Sequence, residues 1–403
     1  MRVRKSSTRR FLTEMPQVVV MLPAAIKVCR DMRRGILKYM RTHGPWALHL
    51  VEGRDCEQKL RNSRIKYSGI IAQPLTESEV GVLSTLSIPQ VLVDPQKYHL
   101  TPAYRRLLAR ASLIRCDTQA VGQFAAHHFL ELGFSHFAYV GATGDARWSD
   151  LRGRAFADEL GRQNHEVSFF GVKKGESFVD ELPRLCAWLR TLPKPCAVFC
   201  AWDGRARQVV DACAMAEIEV PSSVSVLGVD DDAAVCESVE PPIPSIRLTA
   251  ERAGYLAARQ LDNVLRGISA PHQILYGPGK VQNRVCAVGV RYWRDGVVRA
   301  AAEFIALNAV RGATVSDVAR HAGVSVRVLE RRFAAETGRT VSEMLLGTRL
   351  DHVRKMLAET DESIKSIALS CGFASVSYLT MLFRRAEGMT MTKYREQAKR
   401  LRQ

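Results

Sequence analysis

The segments TVSDVARHAGVSVRVLERRFAAETG at 314–338 and SIKSIALSCGFASVSYLTMLFRRAEG at 363–388 follow the same plan. In each, a serine or threonine that can cap a helix precedes a short helical stretch, and a glycine then allows a sharp turn. A second serine, Ser325 or Ser375, opens another helix whose apolar residues recur at helical spacing. This is the plan of a helix-turn-helix motif. One copy resembles many helical hairpins, whereas two copies about 50 residues apart predict a tandem DNA-binding motif.

The outward positions of the two second helices are the candidates for DNA contact. Arginine suits guanine edges, and hydroxyls suit several bases. The candidates are Ser325, Val326, Arg327, Glu330 and Arg331 in the first motif and Ser375, Val376, Ser377, Thr380, Met381 and Arg384 in the second. We expect Arg332, Arg385 and Lys393 to bind phosphates, which position a protein without specifying a sequence. The alternative is that most of these side chains bind phosphates or face solvent.

A predicted helix over 341–359 separates the two motifs. At about 1.5 Å per residue it is about 28 Å long, close to the roughly 34 Å between successive major-groove faces of a duplex. Two recognition helices at the ends of this spacer could therefore enter adjacent major grooves.

The middle of the chain has a different pattern. Short apolar, β-branched runs such as VVVML at 18–22, AVFCA at 197–201 and VSVLGVD at 224–230 alternate with amphipathic stretches. Strands that alternate with helices predict βαβ units and a parallel sheet, and about nine such runs are enough for two lobes. Near residue 297 the pattern changes to helices only. We therefore expect a two-lobed α/β domain over 15–290 and an all-α domain over 297–403, after a basic arm at 1–14.

Composition and charge narrow the classes of function. The 403 residues are 47% apolar and carry a net charge of +17, which favours an anionic partner such as nucleic acid. The first ten residues hold five bases and no acid, and residues 297–403 hold 18 bases and 11 acids. The longest apolar run has nine residues, too short for a membrane span. The ten cysteines are scattered, which predicts a cytoplasmic protein with reduced thiols. We expect no metal site, no cofactor and no catalytic residues.

The helical segments resemble the DNA-binding domain of the AraC/XylS family of transcription regulators. The resemblance spans about 100 residues and includes VSDVARHAGVS, SIALSCGFASVSYLTMLFRR and the final Tyr394-Arg395. It implies that the helices after Ser325 and Ser375 read operator bases, and it allows contact with RNA polymerase. Val341 and Met391 stand where the family usually has proline, and Leu379 where an aromatic ring is common. Proline at a helix start is replaceable, so we expect a small stability cost and no loss of fold.

The middle region resembles the periplasmic-binding-protein-like effector domain of LacI/GalR regulators. The matching segments are CDTQAVGQFAAHHFLELGFSHFAYVG (116–141), LRGRAFADEL (151–160), FCAWDGRARQVVDACAMAEIEVPSSVSVLGVDDD (199–232) and PPIPSIRL (241–248). The order of the two domains is similar to that of xylose-operon regulators of the XylR type. The resemblance implies that Arg152, Asp203 and Asp230 bind a small effector, most readily a pentose, with Trp148 and Trp202 as candidates for stacking on a sugar face. It also implies a homodimer. The plain alternatives are an interlobe ion pair for Arg152 and helix caps for Asp203 and Asp230.

One segment departs from the sugar-binding pattern. After the first strand, relatives carry polar groups that complete the pocket, whereas this chain has MLPAAIKVCRD at 21–31. Three hypotheses therefore stand. The first is a ligand-responsive transcription factor. The second is a sugar-active enzyme with an attached helical domain, which no nucleophile–base pair supports. The third is a constitutive DNA-binding protein with a vestigial or non-sugar receptor domain.

Overall fold

The computed structural model describes residues 15–52, 56–61, 65–95, 101–144, 146–173, 175–269, 271–282, 284 and 295–400. The basic arm predicted at 1–14 lies outside these ranges. Two parallel-sheet α/β lobes followed by an all-helical region confirm the predicted fold class. No helix within the described ranges is long and apolar enough to span a bilayer.

The two lobes are built on short strands. These are β1 Gln17–Met21, β2 Ala47–Leu50, β3 Gly69–Ala72, β4 Gln90–Val93, β5 Ser112–Cys116, β6 Phe137–Val140, β7 Val167–Phe169, β8 Cys196–Cys200, β9 Val224–Val229, β10 Ser245–Leu248, β11 Gln273–Tyr276 and β12 Pro278–Gln282. The first nine coincide with the apolar runs that the sequence indicates. The last three were not predicted from the sequence, because each is short and carries polar or exposed residues.

Each lobe contains one six-stranded sheet. The sheet of the first lobe has the order β11-β5-β4-β3-β1-β2, and all of its pairs are parallel. The sheet of the second lobe has the order β12-β10-β9-β8-β6-β7, and β12 is its antiparallel edge. The central strands are buried on both faces, as the continuous apolar runs require. The chain crosses between the lobes after β5, after β10 and after β11, so the lobes meet at the carboxyl ends of their strands.

Helices cover both sheets. They are α1 Lys27–His43, α2 Cys56–Arg61, α3 Glu77–Thr85, α4 Pro102–Arg110, α5 Thr118–Glu131, α6 Arg147–Gly161, α7 Phe178–Thr191, α8 Asp203–Met215, α9 Ala233–Cys236 and α10 Ala250–Leu265. Helices α5 and α6 pack closely at Gly122, where a Cβ atom would lie 2.4 Å from the carbonyl oxygen of Arg152. This close approach fixes α6 and the arginine that it carries.

The C-terminal region is entirely helical over 295–400. Its helices are α11 Gly296–Asn308, α12 Val315–His321, α13 Val326–Thr337, α14 Val341–Glu359, α15 Ile364–Ser370, α16 Val376–Glu387 and α17 Met391–Arg400, with a 3₁₀ turn at Ala309–Arg311. The predicted caps form, because the side chains of Ser325 and Ser375 accept hydrogen bonds from backbone N–H groups three residues on. Gly338 and Gly388 end the second helix of each motif in the left-handed conformation, as the sequence indicates.

Helix α14 joins the two helix-turn-helix motifs. Its first half packs Val341 and Leu345 into the core of the first motif, and its second half packs Leu350, Val353 and Leu357 into that of the second. Val341 therefore opens α14 in place of proline while it fills a core. Thr340 and Glu343 form a capping box that satisfies free N–H groups at this helix start.

Candidate functional site

The cleft between the lobes is lined by the carboxyl ends of both sheets, where folds of this kind bind ligands. The first lobe contributes residues that follow β4 and β5. The second lobe contributes α6 and the loops after β8 and β9, so the structure brings Arg152, Asp203 and Asp230 to one region. Within the described residues, no group of His, Cys, Asp and Glu side chains is arranged to hold a metal ion.

Arg152 is the central cation of the cleft, and it is buried, with only 3% exposure. Its Nη1 donates to the carbonyl oxygen of Ala201, and its Nη2 lies 4.0 Å from the Sγ atom of Cys116 in the first lobe. The guanidinium carbon also lies 5.0 Å from the centre of the Trp148 ring, in a cation–π contact. Among the residues that the structure describes, its Nε has no hydrogen-bond partner. Arg152 therefore spans the two lobes and retains a donor for a further acceptor.

Asp203 is also buried, and both of its carboxylate oxygens are occupied within the second lobe. The hydroxyl of Ser245 donates to Oδ1 at 2.5 Å, and the backbone N–H of Asp232 donates to Oδ2 at 2.7 Å. Burial raises the pKa of Asp203, and these two hydrogen bonds oppose the rise. A Cβ atom at position 228 would lie 2.3 Å from Oδ1, so Gly228 leaves the space that this carboxylate fills. Asp203 holds the loop after β9 in place.

Asp230 lies in that loop and has a different environment. It is half-buried, with a backbone φ of 107°, in the left-handed region that non-glycine residues rarely adopt. Within the described residues, its carboxylate has no hydrogen-bond or ion-pair partner. Burial, and secondly the negative charge of Asp203, raise its pKa, whereas the charge of Arg152 lowers it. The structure thus presents an unpartnered carboxylate on strained backbone, near a buried arginine.

The two predicted aromatic residues differ in position. Trp148 is half-buried beneath Arg152. Trp202, 41% exposed, precedes α8, and its ring covers Gly204, where a Cβ atom would lie 2.3 Å from a ring atom. Trp148 is therefore the better placed of the two to support a group bound at Arg152.

Sequence reasoning missed one polar group of the first lobe, Asp94. This residue follows β4 with φ at 40° and accepts a hydrogen bond from the backbone N–H of Cys116 at 2.6 Å. The hydroxyl of Tyr276 donates to its other oxygen. Burial raises the pKa of Asp94, and these hydrogen bonds and the nearby Arg152 oppose the rise. The aspartate that ends the run QVLVD at 90–94 was the available signal.

The apolar segment after β1 is organised by Arg30. Its guanidinium donates to the carbonyl oxygens of Ala24 and Ala25 at 2.8 and 3.1 Å. The same side chain forms an ion pair of 2.7 Å with Asp232 in the second lobe. Asp31 pairs with Lys27 and Arg34 instead. The segment that departs from the sugar-binding pattern thus supplies a direct connection between the lobes.

The second candidate surface is formed by the outward sides of α13 and α16. Exposed residues among those predicted to contact DNA are Ser325, Val326, Arg327, Arg331, Arg332, Ser375, Ser377, Thr380, Met381, Arg384, Arg385 and Lys393. Val376 and Glu330 differ, because both are half-buried. Val376 packs against the core of the second motif, and the carboxylate of Glu330 accepts a hydrogen bond of 3.3 Å from the N–H of Val341. Arg332 lies 3.4 Å from Asp295, the cap of α11.

The spacing of the two motifs is fixed by contacts of α14 and of the second motif with the segment just before the first motif. Arg349 of α14 donates to the carbonyl oxygens of Ala309 and Ala313 at 2.8 and 2.7 Å. Gly372, the turn glycine of the second motif, has φ at 73°, and a Cβ atom there would lie 2.8 Å from the carbonyl oxygen of Val310. The second turn therefore packs directly on the 3₁₀ turn at Ala309–Arg311, which precedes the first motif.

Ion pairs connect the loop after β9 with the helical domain. Asp231, whose φ is 57°, pairs with Arg284 at 2.8 Å. Arg284 pairs with Glu237 at 3.2 Å, and Glu237 lies 4.0 Å from Lys355 of α14. The residue next to Asp230 is thus joined, through two side chains, to the helix that separates the two motifs.

Comparisons with known proteins agree with this architecture. A periplasmic-binding-protein-like domain matches residues 126–285, and a helix-turn-helix domain matches residues 318–397. The chain is 27% identical over 395 residues to the xylose operon regulatory protein of Escherichia coli K12, and the match covers 96% of this chain and 98% of that protein.

Comparison with solved structures also shows similarity to transcription regulators with this architecture. A structure of the xylose-binding transcription activator xylR has a TM-score of 0.71 at 26% identity, with 96% of this chain and 99% of that chain covered. A periplasmic binding protein/LacI transcriptional regulator from Alkaliphilus metalliredigens, complexed with D-xylulofuranose, shares the fold at a TM-score of 0.51 and 18% identity, over 66% of this chain and 97% of that one. The chain is therefore an XylR-like transcription regulator with an AraC-type DNA-binding domain, and not an enzyme.

Proposed function

We propose that this XylR-like regulator responds to a small polyhydroxylated effector, of pentose size, which binds between its lobes and changes the affinity of the helical domain for operator DNA. The observation that carries the proposal is Asp230, whose carboxylate lies on strained backbone near Arg152 and has no partner in the described part of the chain. Strain of this kind persists where the surrounding structure imposes it, and it clusters at ligand sites.

The chemistry of the cleft suits hydroxyl groups. A carboxylate accepts hydrogen bonds from vicinal hydroxyls, a guanidinium donates to them, and such charge-assisted bonds are stronger than neutral ones. The half-buried face of Trp148 suits the apolar side of a sugar ring. The xylose-binding activator xylR and the regulator complexed with D-xylulofuranose bind molecules of this class. An apolar effector would leave Asp230 and the free donor of Arg152 without partners.

The effector would act by favouring one arrangement of the lobes. A ligand shifts a conformational equilibrium only through different affinities for the two states. Contacts with Arg152 and Asp230 of the second lobe, together with groups of the first, would favour the closed arrangement. We further propose a homodimer, in which two helical domains bind a repeated operator with a higher effective concentration than either alone.

One observation favours a second function, a regulator with a vestigial receptor that binds DNA constitutively. Arg30 already joins the apolar segment after β1 to Asp232 across the cleft. If this ion pair alone holds the lobes together, closure needs no effector.

Calorimetric titration of the full chain with D-xylose, D-ribose, L-arabinose and D-glucose distinguishes the two functions. We expect heat of binding with at least one pentose and weaker or no binding with the hexose. Asp230→Asn should lose this binding, whereas Asp150→Asn, a control at an exposed position of α6, should retain it. Absence of binding by all four sugars would favour the constitutive regulator.

A further inference from the structure

We propose that α16 recognises thymine through the C5-methyl groups that this base presents in the major groove, so that the second half of the operator is defined by thymines. The proposal rests on the proposed function only in that the helical domain binds duplex DNA. Recognition of thymine methyl groups by the second motif does not depend on any effector.

The outward face of α16 carries one large apolar side chain, Met381, that its own core does not bury. Leu379 and Phe383 point inward and are essentially completely buried. Met381, in contrast, is 59% exposed. It lines an open surface depression of about 660 Å³ together with Val376, Ser377, Thr380, Arg384 and Arg385. An exposed methionine beside a valine in such a depression offers apolar contact rather than hydrogen bonding.

The hydroxyl of Thr380 is bonded within α16. Its Oγ1 donates to the carbonyl oxygen of Val376, one turn earlier, at 2.8 Å. With this donor used within the helix, Thr380 contributes its methyl group to the same outward face. Thr380 and Met381 form an apolar ridge together with the outer side of Val376, which is half-buried and also packs against the core of the second motif. This ridge lies at the beginning and middle of the helix, which is the part of a recognition helix that contacts base edges.

The positive charge beside the ridge indicates that the partner of this surface is duplex DNA. Arg384 and Arg385 follow it on the C-terminal half of α16 and are exposed. The depression contains two arginines and no acidic side chain. The nearest acid of the helix, Glu387, is occupied by Arg354 of α14, whose Nε donates to it at 2.8 Å. A ridge of methyl groups flanked by free cations matches a thymine methyl flanked by phosphates.

Comparison of the two recognition helices supports different base preferences. The caps Ser325 and Ser375 are equivalent, so each position of α13 corresponds to the position 50 residues later in α16. Met381 then stands where the first helix has Arg331, and Ser377 stands where it has Arg327. At these two positions the first helix presents guanidinium groups that suit guanine, whereas the second presents a hydroxyl and the methyl end of Met381. The valines Val326 and Val376 stand at equivalent positions in the two helices. Contacts from Arg349 and Gly372 fix the spacing of the helices, so the thymines should lie about one helical turn from the first half-site.

The test uses the full chain and the removal of single methyl groups. An operator is first selected from a random duplex library, and each thymine of the second half-site is then replaced by uracil, which differs only by the C5-methyl group. Burial of one such group is worth about 0.8 kcal/mol, which corresponds to about fourfold in affinity. We expect one or two uracil positions to weaken binding by about fourfold, while uracil in the first half-site has little effect.

Two variants complete the experiment. Met381→Ala should remove most of the uracil penalty in the second half-site while the first half-site is still selected. Because the Met381 side chain is exposed, the variant should fold as the wild type does. Met215→Ala changes a methionine of the two-lobed domain that is 64% exposed, and it should leave the penalty unchanged.

Two outcomes would overturn the proposal at different levels. If a defined operator is selected but uracil is tolerated at every position of the second half-site, α16 does not read thymine methyl groups, although the chain remains a sequence-specific regulator. If no sequence is selected at any salt concentration, the proposed regulatory function fails together with this inference.

Discussion

The neighbouring aspartates Asp203 and Asp230 should respond in opposite ways to the same substitution. Asp203→Ala removes the acceptor for the hydroxyl of Ser245 and for the N–H of Asp232, which are otherwise bonded at 2.5 and 2.7 Å. Each buried donor left without a partner costs about 1–3 kcal/mol. We therefore expect Asp203→Ala to lower the free energy of unfolding by about 2–6 kcal/mol.

Asp230→Ala should have little effect on stability, or should increase it. The carboxylate of Asp230 has no partner among the described residues, and burial of its charge is unfavourable. We expect this variant to bind the effector more weakly. Loss of one charge-assisted contact of about 1.5–3 kcal/mol weakens effector binding by about 10- to 150-fold.

Urea unfolding without sugar and calorimetric titration with pentoses measure the two effects separately. The variants Asp203→Asn and Asp230→Asn serve as conservative controls, since an amide retains one acceptor oxygen. The reasoning is wrong if Asp203→Ala unfolds at the wild-type urea concentration, or if Asp230→Ala binds effector as tightly as wild type.

Three further predictions concern pH, DNA and communication. Burial raises the pKa of Asp203 to about 7 and that of Asp230 to about 8. The folded state therefore keeps protons that the unfolded chain releases near pH 4, and the free energy of unfolding without effector should fall as pH rises from 4 to 8. Asp230→Asn should flatten this fall in urea titrations. Arg327→Ala should relax base specificity by about 1–3 kcal/mol, whereas Lys393→Ala should weaken binding to all sequences and lower the salt slope by about one unit in operator-binding assays. Glu237→Gln should reduce the effect of effector on operator affinity while effector affinity itself stays nearly constant; equal coupling in the variant would contradict the ion-pair route.

The elements of the fold could be predicted from the sequence wherever a local residue pattern determines them. Continuous apolar runs indicated the buried strands, and the caps and glycines indicated the two motifs almost to the residue. The strands β10 to β12 were missed for a physical reason. Leu275 of β11 is 54% exposed, and β12 begins with Pro278 and Gly279, which are tolerated at a sheet edge but do not read as a strand.

The site could be located from the sequence, but the roles of its residues could not be separated. Asp203 and Asp230 both follow apolar strands, and their difference depends on Ser245, which is 42 residues from Asp203. Asp94 was missed because its partner Tyr276 is 182 residues away. Glu330 falls on the outward face of a recognition helix by periodicity, and only the packing of α14 turns it towards Val341. Such roles arise from contacts that sequence spacing does not encode.

The loop after β9 connects the two halves of the molecule, because its adjacent aspartates have different partners. Asp230 faces the cleft, whereas Asp231 is buried against Arg284, and both have positive φ values that only a well-braced loop maintains. A ligand that binds Asp230 acts on the same short backbone segment that Asp231 anchors. Arg284 transmits any shift of this segment to Glu237, which lies beside Lys355 of the helix that sets the spacing of the two motifs. Since that helix carries core residues of both motifs, the proposed function predicts that a small rotation at the cleft would change how well the two recognition helices fit successive major grooves.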